Sequence, residues 1–206
     1  SVADKFIASI TAQAKKIHEG KNYGPATMPS QLNVIQGHID DALSRGATFL
    51  VGGKDSVHDG MVAPTIMANV PEDSTAMLEE TFGPTLAINR VKSMAEAISL
   101  SNASTYGLAA AVFSKRDGES IAAQLHCGMV SINSVFSFAA VSSVPFGGVK
   151  DSGYGRIHGH EGLLEFTYPR TVVSTRFRIP LAFTTFKRSK FADGVIQKLI
   201  KFLYGR

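Results

Sequence analysis

Hydrophobic and polar positions alternate along the chain with two different periods, one helical and one typical of strands. The spacing of Phe6, Ile10, Ala14 and Ile17 predicts an amphipathic helix over residues 1–18. Further along, the spacing of apolar residues changes several times between the helical period and the two-residue period of strands. The chain is therefore expected to mix helices with strands.

The stretch between Ser30 and Asn133 carries this alternation most regularly. A second helix is expected to begin at Ser30 and to end at Gly46, and the capping-box pair Ser93 and Glu96 opens a later one. Short apolar runs of strand length separate the helices: ATFLVGG, MVAPTIMANV, LAAAVF and MVSIN. This order predicts an α/β fold, with a mostly parallel sheet flanked by helices.

The pattern changes after Asn133. The segment SVFSFAAVSSVPFGGVKDSGYGRIHGHEG has many glycines and almost no periodicity, and long irregular segments within compact domains are often functional. TYPRTVVSTRFRI then alternates like a β-strand. From about Phe191 the apolar residues fall on one side of a basic helix, which predicts a helical tail.

Composition and charge exclude several classes of protein. The 206 residues have an ordinary globular composition and a formal net charge of +4, and six of the basic residues fall within residues 187–206. No nucleic-acid-binding motif accompanies them, so no nucleic-acid partner is expected. The single cysteine, Cys127, rules out an internal disulfide and is compatible with the cytoplasm. No apolar run reaches the roughly 18 residues that span a bilayer.

Three motifs that suggest chemistry are better explained as structural. In SGYGRIHGHEG the third glycine of a dinucleotide fingerprint is replaced by His158, and no strand leads into it. His158, His160 and Glu161 lack further ligands at a suitable spacing, so no metal site is expected. Cys127 precedes Gly128 at the end of a predicted helix, where the helix dipole disfavours a thiolate.

Glu80 and Phe82, in EETFGPTLAINR, remain as candidates. Residues two apart in an extended segment point to the same side, and α/β folds bind ligands at strand ends. A carboxylate can accept hydrogen bonds from ribose hydroxyls, and an aromatic ring can hold a flat heterocycle. The residues alone weigh this interpretation evenly against a capping or solvated role for Glu79 and Glu80.

Several motifs in series identify a resemblance. EETFGPTLAINR, SNASTYGLAAAVFS, CGMVSIN with VPFGGVKDSGYGR, and EFTYPRTV together resemble the C-terminal part of the NAD(P)-dependent aldehyde dehydrogenase superfamily, from Ser1 to about Val173. The resemblance implies oxidation of an aldehyde to a carboxylic acid with NAD or NADP, through a cysteine thioester. It also implies that the nucleophile, the general base and the oxyanion Asn lie upstream of Ser1.

The resemblance assigns roles to particular residues. It implies that Glu80 holds the nicotinamide-ribose hydroxyls and that Phe82 lies beside the nicotinamide. Phe136, Phe138 and Phe146 are implied to line the substrate tunnel, and they suggest an aliphatic or aromatic aldehyde.

The resemblance also divides the chain. Residues 1–168 are expected to form part of the catalytic domain, 169–180 an oligomerisation strand of a homodimer or homotetramer, and 181–206 a basic amphipathic tail. The segment 187–206 is expected either to dock on protein or to contact an anionic membrane surface. Two hypotheses remain for the whole: part of an active dehydrogenase, or a non-catalytic module that keeps pairing and cofactor-edge surfaces.

Overall fold

A computed structural model describes residues 2–177, 186 and 189–205. The described chain falls into two compact units, the first ending at Phe166 and the second beginning at Thr167.

The first unit alternates helices and short strands, as the sequence predicts. Its helices are α1 (Ala3–Ala14), α2 (Pro29–Ser44), α3 (Thr75–Leu78), α4 (Met94–Ala103), α5 (Gly118–Ala122) and α6 (Gly159–Leu164), with a 3-10 turn at Ser137–Ala140. Its strands are β1 (Thr48–Val51), β2 (Val57–His58), β3 (Met61–Val62), β4 (Thr65–Ala68), β5 (Thr85–Ile88), β6 (Tyr106–Gly107), β7 (Ala109–Val112), β8 (Met129–Ile132) and β9 (Val149–Lys150).

The strands form several small sheets. β1, β4 and β5 lie in the order β1-β4-β5, with β4 antiparallel to β1 and parallel to β5. β7 and β8 form a parallel pair that aligns Ala109 with Met129. β2 with β3, and β6 with β9, form antiparallel pairs of two residues each.

The α/β class is confirmed, and the expectation of a mostly parallel sheet needs correction because the sheets are mixed. The parallel pairs β4-β5 and β7-β8 belong to units with a crossover, and parallel strands require such a connection. Between β1 and β4 the chain instead returns through the β2-β3 hairpin, so β4 runs antiparallel to β1. Sequence period predicts strands but does not fix their direction.

The core of the first unit forms where α2 packs against the β1-β4-β5 sheet. Ile35 and Ile39 of α2 are fully buried and pack with Val62, while Ala42 packs with Met67. Leu43, which helical spacing would also turn inward, is exposed. The stripe on α2 is therefore rotated so that His38 takes a buried place.

Asp41 joins α2 to the start of α3. Its carboxylate accepts hydrogen bonds from Arg45 Nε at 2.8 Å, Ser74 Oγ at 2.7 Å and the Thr75 backbone N–H at 2.9 Å. Hydrogen bonds from Arg45, Ser74 and Thr75 hold the pKa of Asp41 well below its usual range. The carboxylate therefore stays ionised, and keeps these bonds, well into acid.

Capping confirms one predicted helix start. The Ser93 side chain accepts a hydrogen bond from the Glu96 backbone N–H at 3.1 Å, and Glu96 reaches back to the Lys92 N–H at 2.6 Å. The first helix is shorter than predicted and ends at Ala14, where the chain turns toward a bridge between Glu19 and Tyr23.

The second unit contains α7 (Lys190–Tyr204), which confirms the helical tail. Residues 169–177 of the predicted oligomerisation strand form no strand within the described part of the chain, and residues 178–180 lie outside the described residues. No described helix is both long and apolar enough to cross a membrane.

Candidate functional site

Glu79 and Thr81 are both held by one buried histidine of α2. His38 is 4% exposed; its Nε2 lies 3.2 Å from Glu79 Oε2 and its Nδ1 lies 2.6 Å from Thr81 Oγ1. A carboxylate only accepts hydrogen bonds, so Nε2 donates to Glu79. The Glu79 carboxylate therefore has a buried hydrogen-bond partner and is not simply solvated.

Glu80 lies between these two anchored residues and lines a groove on the surface of the first unit. The groove has a volume of about 810 Å³. It is formed by α3, α4, the segment from Ser104 to Ala110, residues 125–127 and Ser152. The Glu80 side chain is exposed, so its oxygens are open to a ligand with hydroxyl groups.

Phe82 follows on the same segment but does not line this groove. Its side chain is 69% exposed, and the next residue, Gly83, packs against α2. A Cβ on Gly83 would lie 2.6 Å from Ile35 Cδ1, so a larger residue there would require the Ile35 side chain to move. On this segment the Phe82 side chain is therefore directed outward, while Glu80 lines the groove.

The three predicted tunnel residues form one aromatic cluster. The ring centroids of Phe136 and Phe138 are 6.5 Å apart, and those of Phe138 and Phe146 are 6.0 Å apart. His158 extends the cluster, with its ring 6.1 Å from that of Phe146. These separations and the tilted or edge-on planes are favourable for aromatic pairs.

Backbone contacts hold the cluster in place. Phe146 exchanges two backbone hydrogen bonds with Ile157, at 2.7 and 2.8 Å, and Ser137 beside the other rings lies 2.9 Å from the buried Ser131 hydroxyl of β8. A Cβ on Gly128 would lie 1.9 Å from the Gly147 carbonyl oxygen, so glycine is required where β8 begins. The loop carrying the rings is therefore fixed to β8.

Two basic residues follow this loop, and the charged group of each donates hydrogen bonds to backbone carbonyls. Lys150 Nζ donates to the carbonyls of Asn102 and Ser104, each at 2.8 Å, at the C-terminal end of α4. Arg156 Nη1 donates to the Gly148 carbonyl at 2.6 Å and to the carbonyls of the two residues before it. Arg156 also lines a cavity of about 430 Å³ together with Phe146, whereas Lys150 lines neither this cavity nor the groove.

Cys127 lines the groove as a structural thiol. Its Sγ donates to the Met129 carbonyl at 3.2 Å, and burial raises the pKa of the thiol. Within the described residues no group of three or more His, Cys, Asp and Glu side chains could hold a metal ion.

Comparison with known proteins gives the family. The model of the aldehyde dehydrogenase family matches residues 1–172. The chain belongs to the aldehyde dehydrogenase family. A putative NADP⁺-dependent succinate-semialdehyde dehydrogenase of Mycolicibacterium smegmatis is 37% identical over 187 residues, which cover 85% of this chain and 36% of that protein.

Two further relatives match this aldehyde dehydrogenase chain over most of its length. The 4,4'-diapolycopene aldehyde oxidase of a Methylomonas species is 35% identical over 98% of this chain and 39% of its own length. A double mutant of betaine aldehyde dehydrogenase from Staphylococcus aureus, solved with NAD⁺, is 33% identical with a TM-score of 0.78, covering 89% of this chain and 40% of that one. The chain thus spans at most two fifths of the length of these relatives.

Sequence reasoning missed His38 and the role of Lys150. His38 falls three residues after Ile35 and three before Asp41, on the stripe that faces the core. A polar residue on such a stripe signals a buried partner. Lys150 gave no comparable signal, because its two carbonyl partners are more than 45 residues away in sequence.

The raised pKa of Cys127 generates a prediction about its reactivity. Because only the thiolate reacts, iodoacetamide should modify Cys127 more slowly than free cysteine at neutral pH. The modification rate should increase with pH up to a midpoint above that of an ordinary thiol. Peptide mass spectrometry of the folded protein measures this rate.

The same protein unfolded in urea is the control, since its thiol should react at the rate of free cysteine. Fast modification of the folded protein at neutral pH would contradict the structural assignment of Cys127.

Proposed function

We propose that this chain is the C-terminal part of an enzyme that oxidises an aldehyde to a carboxylic acid with NAD or NADP. In this proposal the nucleophilic cysteine, which forms a thioester with the substrate, lies upstream of Ser1. The observation that carries the proposal is that the chain matches the family over residues 1–172 but covers only 36% of the Mycolicibacterium relative.

Two unprotected strand edges support the existence of an upstream part. In the described chain β5 pairs only with β4, and β7 pairs only with β8. Neither TLAI in β5 nor AAAV in β7 carries a charge, and natural edge strands are usually protected by charges, prolines or bulges. The groove lies between Val91, just beyond β5, and Ala109 of β7. The two strand edges on either side of it suit pairing with further polypeptide of the same enzyme.

Cys127 supports the same view from the opposite side. It is the only cysteine of the sequence, and its thiol is held in the neutral form by burial. A catalytic thiol of this type needs the opposite, a pKa lowered by a base or a helix N-terminus. The nucleophile of the reaction is therefore sought outside these 206 residues.

Within this chain Glu80 is the residue proposed to bind the cofactor. NAD or NADP supplies the hydride acceptor when bound. Glu80 presents exposed carboxylate oxygens in the groove, and a carboxylate that accepts from vicinal ribose hydroxyls orients the sugar. His38 maintains this orientation by fixing the residues on both sides of Glu80. Phe82 is proposed to lie beside the nicotinamide ring.

Replacing Glu80 by glutamine tests this role. Glu80→Gln should raise the KM for the cofactor about tenfold, because hydrogen bonds to a charged acceptor contribute about 1.5–3 kcal/mol. The measurement is steady-state aldehyde oxidation by the protein expressed with its natural upstream sequence, followed through the reduced cofactor.

Glu119→Gln on α5 is the matched control, since Glu119 does not line the groove. An unchanged KM in the Glu80 variant would refute the cofactor role. Complete absence of oxidation by the natural protein would instead favour the alternative of a non-catalytic module that keeps pairing surfaces.

The aromatic cluster favours an apolar aldehyde as substrate. Phe136 is 71% exposed and Phe138 and Phe146 are half-buried, so the cluster offers ring surface and no charge. A carboxylate-bearing substrate needs a cation, and Lys150 and Arg156 both donate to backbone carbonyls. The Methylomonas relative, which is named an oxidase of 4,4'-diapolycopene aldehyde, supports a comparison with long aldehydes. The Mycolicibacterium relative makes succinate semialdehyde the substrate to compare.

An aldehyde series distinguishes the two substrate classes. The kcat/KM of the natural protein should increase with the length of an unbranched alkyl aldehyde and should be lower for succinate semialdehyde. Phe138→Ala should reduce kcat/KM for the long aldehydes about tenfold, since it removes buried apolar contact, and should change that for acetaldehyde little. Preference for succinate semialdehyde would contradict the assignment and would place an anchoring cation in the upstream part.

Residues 169–177 are proposed to pair with another subunit. Val172, Val173 and Phe177 are exposed, and these β-branched and aromatic residues favour strands. An added strand on a partner's sheet edge would cover them.

Light scattering of the natural protein should give the mass of a dimer or tetramer. Val173→Asp should lower that mass, and Ser174→Asp next to it is the matched control. A monomeric mass for the natural protein would overturn this assignment.

A further inference from the structure

α7 separates apolar and basic residues onto two sides. Phe191, Val195, Leu199 and Phe202 follow one another at spacings of three or four, with Ile196 and Leu203 beside them. Lys190 and Lys201 lie on the other side with a single acid, Asp193, and Lys198 lies at the border, four residues before Phe202. The helix is thus strongly amphipathic and carries net positive charge.

The apolar side of α7 is accessible within the described chain. No residue of α7 is buried, and Phe202 is 84% exposed. Phe191, Leu199 and Leu203 are also exposed. A row of exposed apolar side chains along one side of a helix marks an interaction site.

The length of α7 determines the kind of interaction with a bilayer that is possible. Its 15 residues give a helix about 22 Å long, shorter than the roughly 30 Å hydrocarbon core. The lysines also prevent it from crossing. A helix with this pattern lies in the plane of the interface, with its apolar side among the acyl chains.

From these observations we propose that α7 binds an anionic lipid surface. The apolar side chains enter the boundary between headgroups and acyl chains. Lys190, Lys198 and Lys201 contact the negative headgroups, and Lys198, close to Phe202 in the helix, extends its ammonium group outward from the apolar side. The bound helix holds the enzyme at the phase where long apolar aldehydes partition.

Charge favours lipid over a second copy of the chain as the occupant. The sequence around and within α7 also includes Lys187, Arg188 and Arg206, so two such segments would repel each other. Protein interfaces are depleted of lysine at their centres, whereas lysine beside aromatic residues suits an anionic membrane surface. The inference goes beyond the proposed oxidation and needs no catalytic activity.

Co-sedimentation with vesicles tests the proposal directly. The natural protein should bind vesicles of phosphatidylcholine mixed with phosphatidylglycerol, and should bind phosphatidylcholine alone much more weakly. Phe202→Ser should weaken binding about tenfold. Lys198→Gln and Lys201→Gln should each weaken binding to the anionic vesicles about fivefold, and added salt should act in the same direction.

Tyr168→Ser is the matched control, because Tyr168 is 84% exposed and lies in the same unit, outside both the helix and residues 169–177. It should leave vesicle binding unchanged, and circular dichroism should show that both variants are folded. The proposal would be overturned if both variants lost vesicle binding equally. It would also be overturned if the protein bound neutral and anionic vesicles equally, or if the lysine variants bound anionic vesicles as well as the natural protein does.

Light scattering of the same samples distinguishes the alternative occupant. If Phe202→Ser lowers the mass of the assembly and the natural protein does not bind vesicles, α7 is a subunit contact and the proposal is wrong. Oxidation of acetaldehyde, measured without vesicles, reports separately on the proposed function. Lipid binding by α7 and the proposed aldehyde oxidation can therefore be refuted independently of each other.

Discussion

One face of α2 determines the course of the segment that carries the candidate site. Asp41, His38 and Ile35 follow at intervals of three residues and contact, in that order, the start of α3, the pair Glu79 and Thr81, and Gly83. The segment 74–83 is thus fastened at three levels to one helix. Each level uses a different interaction: a carboxylate that accepts several hydrogen bonds, a buried imidazole that is paired at both nitrogens, and a close apolar contact. The direction of Glu80 follows from the two neighbours that point the other way.

The position of Glu80 therefore depends on groups that cannot themselves reach a ligand. His38 is buried, and burying a polar ring is costly unless both nitrogens are paired. Both are paired here, so the imidazole ties Glu79 and Thr81 to the core of the first unit. A carboxylate on an unsupported turn would sample many orientations. Anchoring the two neighbours fixes the backbone at Glu80, which supports the proposed role of its carboxylate as an acceptor for ribose hydroxyls.

Much of the local structure was predictable from the sequence, because local periods and caps decide it. The capping pair Ser93 and Glu96 and the strand-like run LAAAVF have their information within a few residues. The direction of β4 relative to β1 was not predictable, because it depends on how the intervening hairpin returns. The grouping of Phe136, Phe138 and Phe146 was implied only by family resemblance, since their contacts depend on the pairing of Phe146 with Ile157.

Lys150 shows how a distant contact can change the interpretation of a nearby loop. In the sequence it is the first cation after the aromatic loop, and it could have been an anchor for an acidic substrate. In the structure it satisfies two carbonyls at the end of α4, where unpaired carbonyl groups and the helix dipole both favour a cation. Using the charge there leaves the aromatic cluster apolar. The same lysine therefore closes a helix, and because its ammonium group already has two acceptors it supports the proposal of an uncharged substrate.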